Sequence, residues 1–359
     1  MAATSFKTLL NSDVQQARTF LHEAVPVTGT IVSGTYADNN IKNYTHGMFQ
    51  SVYDYPYLSS SANHILDLTV GLSSASKLNS AAGLVQKNPK NDVYNEMAQV
   101  LAGYNNTGSI NRLDVSGGFA TSKEKTKMNE VIFINFARLL TKDEIQKKAD
   151  GFQMQLGVGS SHASPFALTL KVYDKNGPNA KTNSPSGQYN LLYASGAAVT
   201  VGDNDRPCGL LFYQAGIAAI TASVFTDKFL TANCGWNSAG KVIADVLTET
   251  SISGNADSFR RRLQNISFTN TTELNSTIYF CRANANEFNY SSNPTYLSGS
   301  TIRVKKGLDD QEQIAQSVTY ITSVGLYGAN NELLAVGKLS EPLKKTPSDE
   351  FTLRVRLDY

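Results

Sequence analysis

Over the last nine residues, Phe351, Leu353, Val355, Leu357 and Tyr359 alternate with Thr352, Arg354, Arg356 and Asp358. A period of two is that of a strand, so this segment predicts a half-buried β-strand with its large apolar groups on one face. Residues 318–327 and 332–339 are rich in Val, Ile, Tyr and Leu and flank Gly328, Ala329, Asn330 and Asn331, residue types suited to left-handed turn dihedrals. Pro342 and Pro347 bracket the following link, because an interior ladder position would lose a hydrogen bond at proline. Residues 318–359 therefore predict a three-stranded antiparallel unit whose last strand is inserted against others. If Leu353 and Leu357 are fully buried, their replacement by Ala costs on the order of 2–5 kcal/mol.

Earlier in the chain the periodicity changes. Ser12 and Asp13, with Val14, Ala17 and Leu21 at helical spacing, predict a helix reaching about Ala24 and closed by Pro26. Residues 30–32 read as short and extended, and 64–70 as a strand or a short helix. Val93, Met97, Val100 and Leu101 share a face behind a cap at Asn91. Residues 123–148 predict two helices, the first through the apolar run 131–140 and the second starting at Thr141 with Glu144 as its capping-box partner. From Gly151 onward the pattern is mainly β: 167–173 alternates, 174–178 is a turn and 189–194 is extended. Residues 209–213 and 217–225 fit two buried strands about Gln214, Ala215 and Gly216, or a buried helix. A short helix at 258–263 and strands at 266–268, 276–282 and 300–305 complete the pattern.

The expected fold class is α+β, mainly β: an antiparallel β-sandwich or barrel-like body with N-terminal helices and extended arms. The expected division is a helical and extended assembly region (1–120), a helical connector (121–150) and a β-rich body (151–359) that includes the C-terminal β unit 318–359.

Composition narrows the classes of function. Lys and Arg number 32 against 30 Asp and Glu, without a basic run, so direct nucleic-acid binding is not expected. Only 17% of residues are charged, a composition associated with proteins whose surfaces become interfaces. Tyr44, Phe49, Tyr53, Tyr55 and Tyr57, and then Phe288, Tyr290 and Tyr296, lie in polar sequence and are the candidate interface residues, since such aromatics bury area while keeping a polar handle. Cys208, Cys234 and Cys281 form no CxxC pair and read as reduced structural thiols. No signal peptide is expected from residues 1–10, which leaves the Asn-x-Ser/Thr sites as chance matches. Residues 207–225 are too short and interrupted to span a membrane.

A search for chemistry returns little. His22, His46, His64 and His162 have no metal-ligand spacing. Ser74 and Lys77 match a serine-to-lysine pattern whose companion motifs are missing. Gly157, Val158, Gly159, Ser160 and Ser161 could cradle a phosphate on consecutive amides but lack the lysine and helix-entry spacing of a P-loop and the third glycine of a dinucleotide fingerprint, so they read as a flexible loop. Asp203 with Asp205, and Asp309 with Asp310, read as solvated loop carboxylates. Arg260, Arg261 and Arg262 point in different directions on a helix, which suits solvation or salt bridges to a neighbouring subunit better than a nucleic-acid stripe. No catalytic, cofactor-binding or metal residue is assigned.

Residues 321–338, from Ile321, Thr322 and Ser323 through Gly325, Leu326 and Tyr327 to Leu333, Leu334, Ala335 and Val336, resemble a hairpin of tailed-bacteriophage tail and fibre-attachment proteins. The resemblance covers about a tenth of the chain. It implies a non-enzymatic virion structural protein, assembled in the infected host cytoplasm, whose partners are copies of itself and other tail, neck, baseplate or fibre proteins. The alternatives are a tail-associated glycan hydrolase and a cellular β-rich binding or adhesion module.

Overall fold

The computed structural model describes residues 6–27, 38–119, 123–196, 205–226, 241–291 and 317–359, and the backbone of 297–298 and 301–302. Tyr296, Cys234 and the extended segment 30–32 lie outside the described residues. The chain is mainly β, with 45% strand against 20% helix, and its largest feature is an antiparallel sheet.

Strands are numbered in chain order: β1 (Val14–Val27), β2 (Ile41–Asn43), β3 (Gln50–Tyr53), β4 (His64–Leu72), β5 (Glu130–Phe136), β6 (Glu144–Ile145), β7 (Phe152–Gly157), β8 (Thr169–Asp174) and β9 (Lys181–Ser184). They continue with β10 (Gly187–Ser195), β11 (Arg206–Phe212), β12 (Ile217–Thr221), β13 (Leu263–Ala283), β14 (Leu297–Ser298), β15 (Thr301–Ile302), β16 (Thr319–Tyr327), β17 (Leu333–Lys345) and β18 (Phe351–Asp358). The α-helices are α1 (Lys87–Ala102), the single turn α2 (Arg138–Thr141), α3 (Ile243–Glu249) and α4 (Ile252–Arg260).

Contacts divide the chain into two units, Leu21–Thr272 and a second formed by Met1–Phe20 with Glu273–Tyr359. In the first, the ladder order is β13-β7-β8-β10-β11-β12-β5-β4-β3-β2, antiparallel at every step. Its middle is covered on both faces: all five residues of β12 are buried, as are Val131, Ile132, Phe133 and Ile134 in succession on β5. α1 packs on β4 where Gly71 lies under Tyr94; a Cβ there would sit 2.9 Å from the Tyr94 Cα. The Tyr94 hydroxyl is buried yet paired, donating to Met128 O at 2.8 Å and accepting from Leu113 N at 3.1 Å.

Several expectations change here. Residues 14–27 are strand, not helix: β1 pairs with β13, and its side chains are mostly exposed, so the backbone ladder and not a buried stripe holds it. The helical connector at 121–150 is replaced by β5, the short α2 and β6. A continuous run of β-branched and aromatic residues suits a strand buried on both faces as well as it suits a helix, and pairing with β4 and β12 decides for the strand. Thr141 ends α2 and starts no helix; its hydroxyl donates to Arg138 O at 3.4 Å. α1 begins four residues before Asn91, after Gln86 in a left-handed conformation (φ 52°). Pro89 fits its first turn, where amide donors have no intrahelical acceptor.

The second unit corrects the C-terminal expectation. β16 and β17 pair only with each other among the described strands, while β18 pairs with the second half of β13, Leu357 opposite Thr277 and Leu353 opposite Cys281. Alternation identifies a half-buried strand but not its neighbour. Pro342 lies within β17, not in a link, at an interruption in which 339–342 have no ladder partner. Leu353 and Leu357 are half-buried.

The arginine run is also different from either expectation. Arg260 and Arg262 are fully buried, and Arg261 is partly exposed. Asp257 pairs with Arg260 at 2.6 Å and with Arg261 at 3.0 Å, whereas Arg262 donates to Gly157 O at 2.9 Å and Gly159 O at 3.3 Å.

Lys90 is equally buried, and its ammonium donates to Leu247 O at 2.6 Å and Thr250 O at 2.7 Å, at the C-terminal end of α3. Burial lowers its pKa to about 8. From about pH 8 toward 10.5 the unfolded chain retains this proton while the folded chain releases it, so this group makes stability rise with pH. Above the ordinary tyrosine value the trend reverses, because burial pushes Tyr189 up to about 12 and the unfolded chain ionises first. Burial raises the Cys208 thiol, which opposes this rise above the ordinary thiol value of 9.0, so the Lys90 contribution is read as a difference: in denaturant titrations from pH 8 to 10 the stability of the native protein is expected to gain on that of Lys90→Met. In the same assay Ile132→Ala, at a fully buried site, should cost about 2–5 kcal/mol, and half-buried Leu353→Ala about half as much or less.

Candidate functional site

At the β2 edge of the sheet, Lys42, Ser51, Asp67 and Asn135 stand in register across β2, β3, β4 and β5. Adjacent cross-strand residues share a face, so these polar groups form a row. Ser51 Oγ donates to Asp67 Oδ1 at 2.5 Å, and His64 Nε2 bonds the same oxygen at 2.8 Å. The Tyr44 hydroxyl meets Ser51 Oγ at 3.2 Å. Tyr53 joins the cluster, its ring 5.4 Å from His64 and 6.3 Å from Tyr57. Burial first, then the Tyr44 phenol that shares a hydrogen bond with it, and Asp67, raise the Tyr53 pKa.

The hydrogen bond to Asp67 raises the His64 pKa against an opposing effect of burial. Serine, histidine and aspartate are together here, but Ser51 and His64 both engage the carboxylate and neither engages the other. The carboxylate that holds Ser51 is therefore shared with His64, and Ser51 itself is buried at 1% exposure, away from any substrate.

Beside this row the 44–49 turn builds an aromatic cluster. Tyr44 and His46 stack at 5.2 Å, and Phe49 lies 4.7 Å and 5.0 Å from them. The Lys42 ammonium sits 4.8 Å above the Tyr44 ring, and Met48 N donates to His46 Nδ1 at 3.0 Å. Between this turn and α1 opens a cleft of about 570 Å³, lined by Met48, Phe49, Val93, Met97 and Val100, with His46 and Glu96 as its charged or titratable groups. It is apolar except at those two groups and Thr69, whose hydroxyl is occupied by Met48 O at 2.5 Å.

In the C-terminal unit, the β16–β17 ribbon is anchored at its base. Lys345 is fully buried and donates to Ala285 O, Asn289 Oδ1 and Thr346 O at 3.1, 2.8 and 2.8 Å, which occupies all three ammonium donors. Thr319 Oγ1 donates to Phe288 O at 2.6 Å. Phe288 has φ 55°, in the left-handed region that bulky residues avoid. The register places Ser323, Gly325 and Tyr327 opposite Lys338, Val336 and Leu333, on one face. A Cβ at Gly325 would meet the Tyr327 ring and Leu333, so those two side chains converge over it. The Phe6 ring packs against Tyr327 with centroids 4.9 Å apart, and the face is otherwise open: Tyr327, Leu333 and Val336 are 48%, 53% and 53% exposed, while Leu326 on the opposite face is buried.

Of the candidate interface residues, Tyr44, Phe49 and Tyr53 are half-buried within the β2-edge cluster; Tyr55, Tyr57, Phe288 and Tyr290 are exposed. Tyr296 falls outside the described residues. His64, Asp67, Met48 and Met97 escaped the sequence reading because pairing across β3, β4 and α1 brings them in. The 157–159 segment is no anion nest: its amides donate to Arg262, Leu168 and Pro165 carbonyls. Ser74 and Lys77 are both exposed, while the Ser73 hydroxyl accepts from Ala75 N and that of Ser76 caps a short 3₁₀ turn. Asp205 is held by Tyr173 and by Lys175 at 2.9 Å.

Among the described residues no group of three or more His, Cys, Asp or Glu is placed to hold a metal ion, and no helix is long and apolar enough to cross a membrane. Comparison with protein-family models, curated proteins and solved structures found no match to this chain.

Because His64 is raised by Asp67, the pair contributes stability that is fully present below the ordinary histidine value of about 6.5 and is lost as pH rises through the raised folded value. Asp67→Asn is expected to bring the His64 midpoint down, which an NMR titration of the imidazole would read directly; an unchanged midpoint would remove Asp67 as the cause.

Proposed function

We propose that the chain is a non-enzymatic structural component of a tailed-phage virion, which self-associates and docks neighbouring tail, neck, baseplate or fibre proteins. The observation that carries this reading is the apolar face Tyr327, Leu333 and Val336 on the ribbon. It belongs to a unit none of whose described residues joins the main buried cluster, whose members all lie from Val27 to Phe268. A two-stranded ribbon is marginal in water unless more strands or another surface cover it, and an exposed patch of large apolar groups marks a contact surface. The virion assignment rests on the hairpin resemblance at 321–338, which is the ribbon itself.

In this reading the body is sandwich-like, as the alternating burial along β7 and β8 favours. Mass spectrometry and immunogold imaging of gradient-purified phage particles should find the chain in repeated copies on the tail or neck. Its recovery only from the particle-free fraction would overturn the virion assignment.

A further inference from the structure

We propose that the cleft beside α1 receives the exposed ribbon face of a second copy of this chain, with Leu333 and Val336 between Met48, Phe49 and Met97 and Lys338 against Glu96. This inference rests on the self-associating reading above and names the partner surface for it.

The cleft selects an apolar occupant. About 570 Å³ of space is lined by methionine, valine and phenylalanine side chains, within the range of roughly 300–1,000 Å³ typical of binding pockets. Its two methionines are flexible and polarizable, which suits a surface that must close around a protruding side chain. A hydroxyl-rich or highly charged ligand would lose hydrogen bonds there and find few in exchange.

The ribbon supplies such a side chain in a fixed frame. Tyr327 and Leu333 converge over Gly325, Val336 follows on the same face, and Lys345 holds the base of the ribbon rigid. The exposed Lys338 lies on that face two residues beyond Val336, roughly 7 Å further along the strand. On α1 the exposed Glu96 stands three residues after Val93 and four before Val100, one turn from each along the helix. Apolar knob and cation thus match apolar cleft and anion in chemistry. Because knob and cleft are different surfaces of one chain, every copy satisfies both either by reciprocal exchange across a two-fold axis or head to tail around a closed ring.

The test uses the full chain. Light scattering across concentration measures self-association, and methyl NMR reads the cleft, since five methionines give a sparse spectrum. Association is expected to shift the Met48 and Met97 methyl signals. Val336→Glu should weaken association by at least about tenfold and abolish those shifts, as for truncation of a central anchor. Glu96→Lys and Lys338→Glu should each weaken it, and the double reversal should restore it, a result that misfolding of either variant cannot imitate. Association that persists in Val336→Glu with unmoved Met48 and Met97 signals would overturn the cleft as receiver while leaving self-assembly standing. A chain that stays monomeric at every concentration would overturn this inference, and absence from particles would separately overturn the virion reading.

Discussion

The fold depends on covering both faces of its central strands. β4, β5, β11 and β12 bury nearly every side chain, including Leu66, Ile132, Leu210 and Ile220 at no measurable exposure. Strands so enclosed have no water for their amides and carbonyls, which makes the antiparallel ladder obligatory along their length. The close seat of α1 on Gly71 follows from that demand, because a helix covers the sheet closely only where the strand offers no side chain. The same enclosure leaves little room for polar groups in the interior. The open β2 edge is one place where a row of them persists.

Three buried cations share one task. Lys90, Arg262 and Lys345 are all fully buried, and each gives hydrogen bonds to backbone carbonyls: at the end of α3, at the end of β7 and in the 284–290 turn. A long side chain can reach across from one element and satisfy carbonyls that end another, as the last carbonyls of a helix require. Burial of the charge is costly, and for Lys90 the cost appears as a pKa lowered to about 8. The compensation is positional, since these bonds fix a connection that has few apolar groups of its own.

Legibility followed the kind of information each element needs. The β16–β17 hairpin was legible because its turn residues and its alternation lie within thirty residues, and Asn331 does adopt a left-handed φ of 60°. β11 and β12 were legible as one of two readings for the same reason. β5 was misread because an apolar run has no period of its own, and its identity comes from β4 and β12, far away in sequence. β1 was misread because Val14, Ala17 and Leu21 keep helical spacing by composition while the segment pairs with β13 some 250 residues later, roughly the separation that His22 and Thr271 span at 3.2 Å. At the candidate site, the aromatic residues were visible as residue types in a polar setting. The grouping of Asp67 with His64 and of Met48 with Met97 required the sheet.

The two units differ in what they do with apolar surface. The first consumes it in one buried cluster, whereas in the second only Ile278, Ala283 and Leu326 are buried apolar residues among those described. The second unit nevertheless has regular strands: β18 alternates half-buried and exposed positions along its whole length, and Lys345 fixes the ribbon base. Order without a core means that ladder hydrogen bonds and a few anchoring contacts oppose the entropy of folding almost alone. Such a unit gains most from any surface that covers its open face, and a chain with only 17% charged residues offers few charges to repel that surface. Covering the open ribbon face is therefore the step at which added burial would change the stability of this unit most.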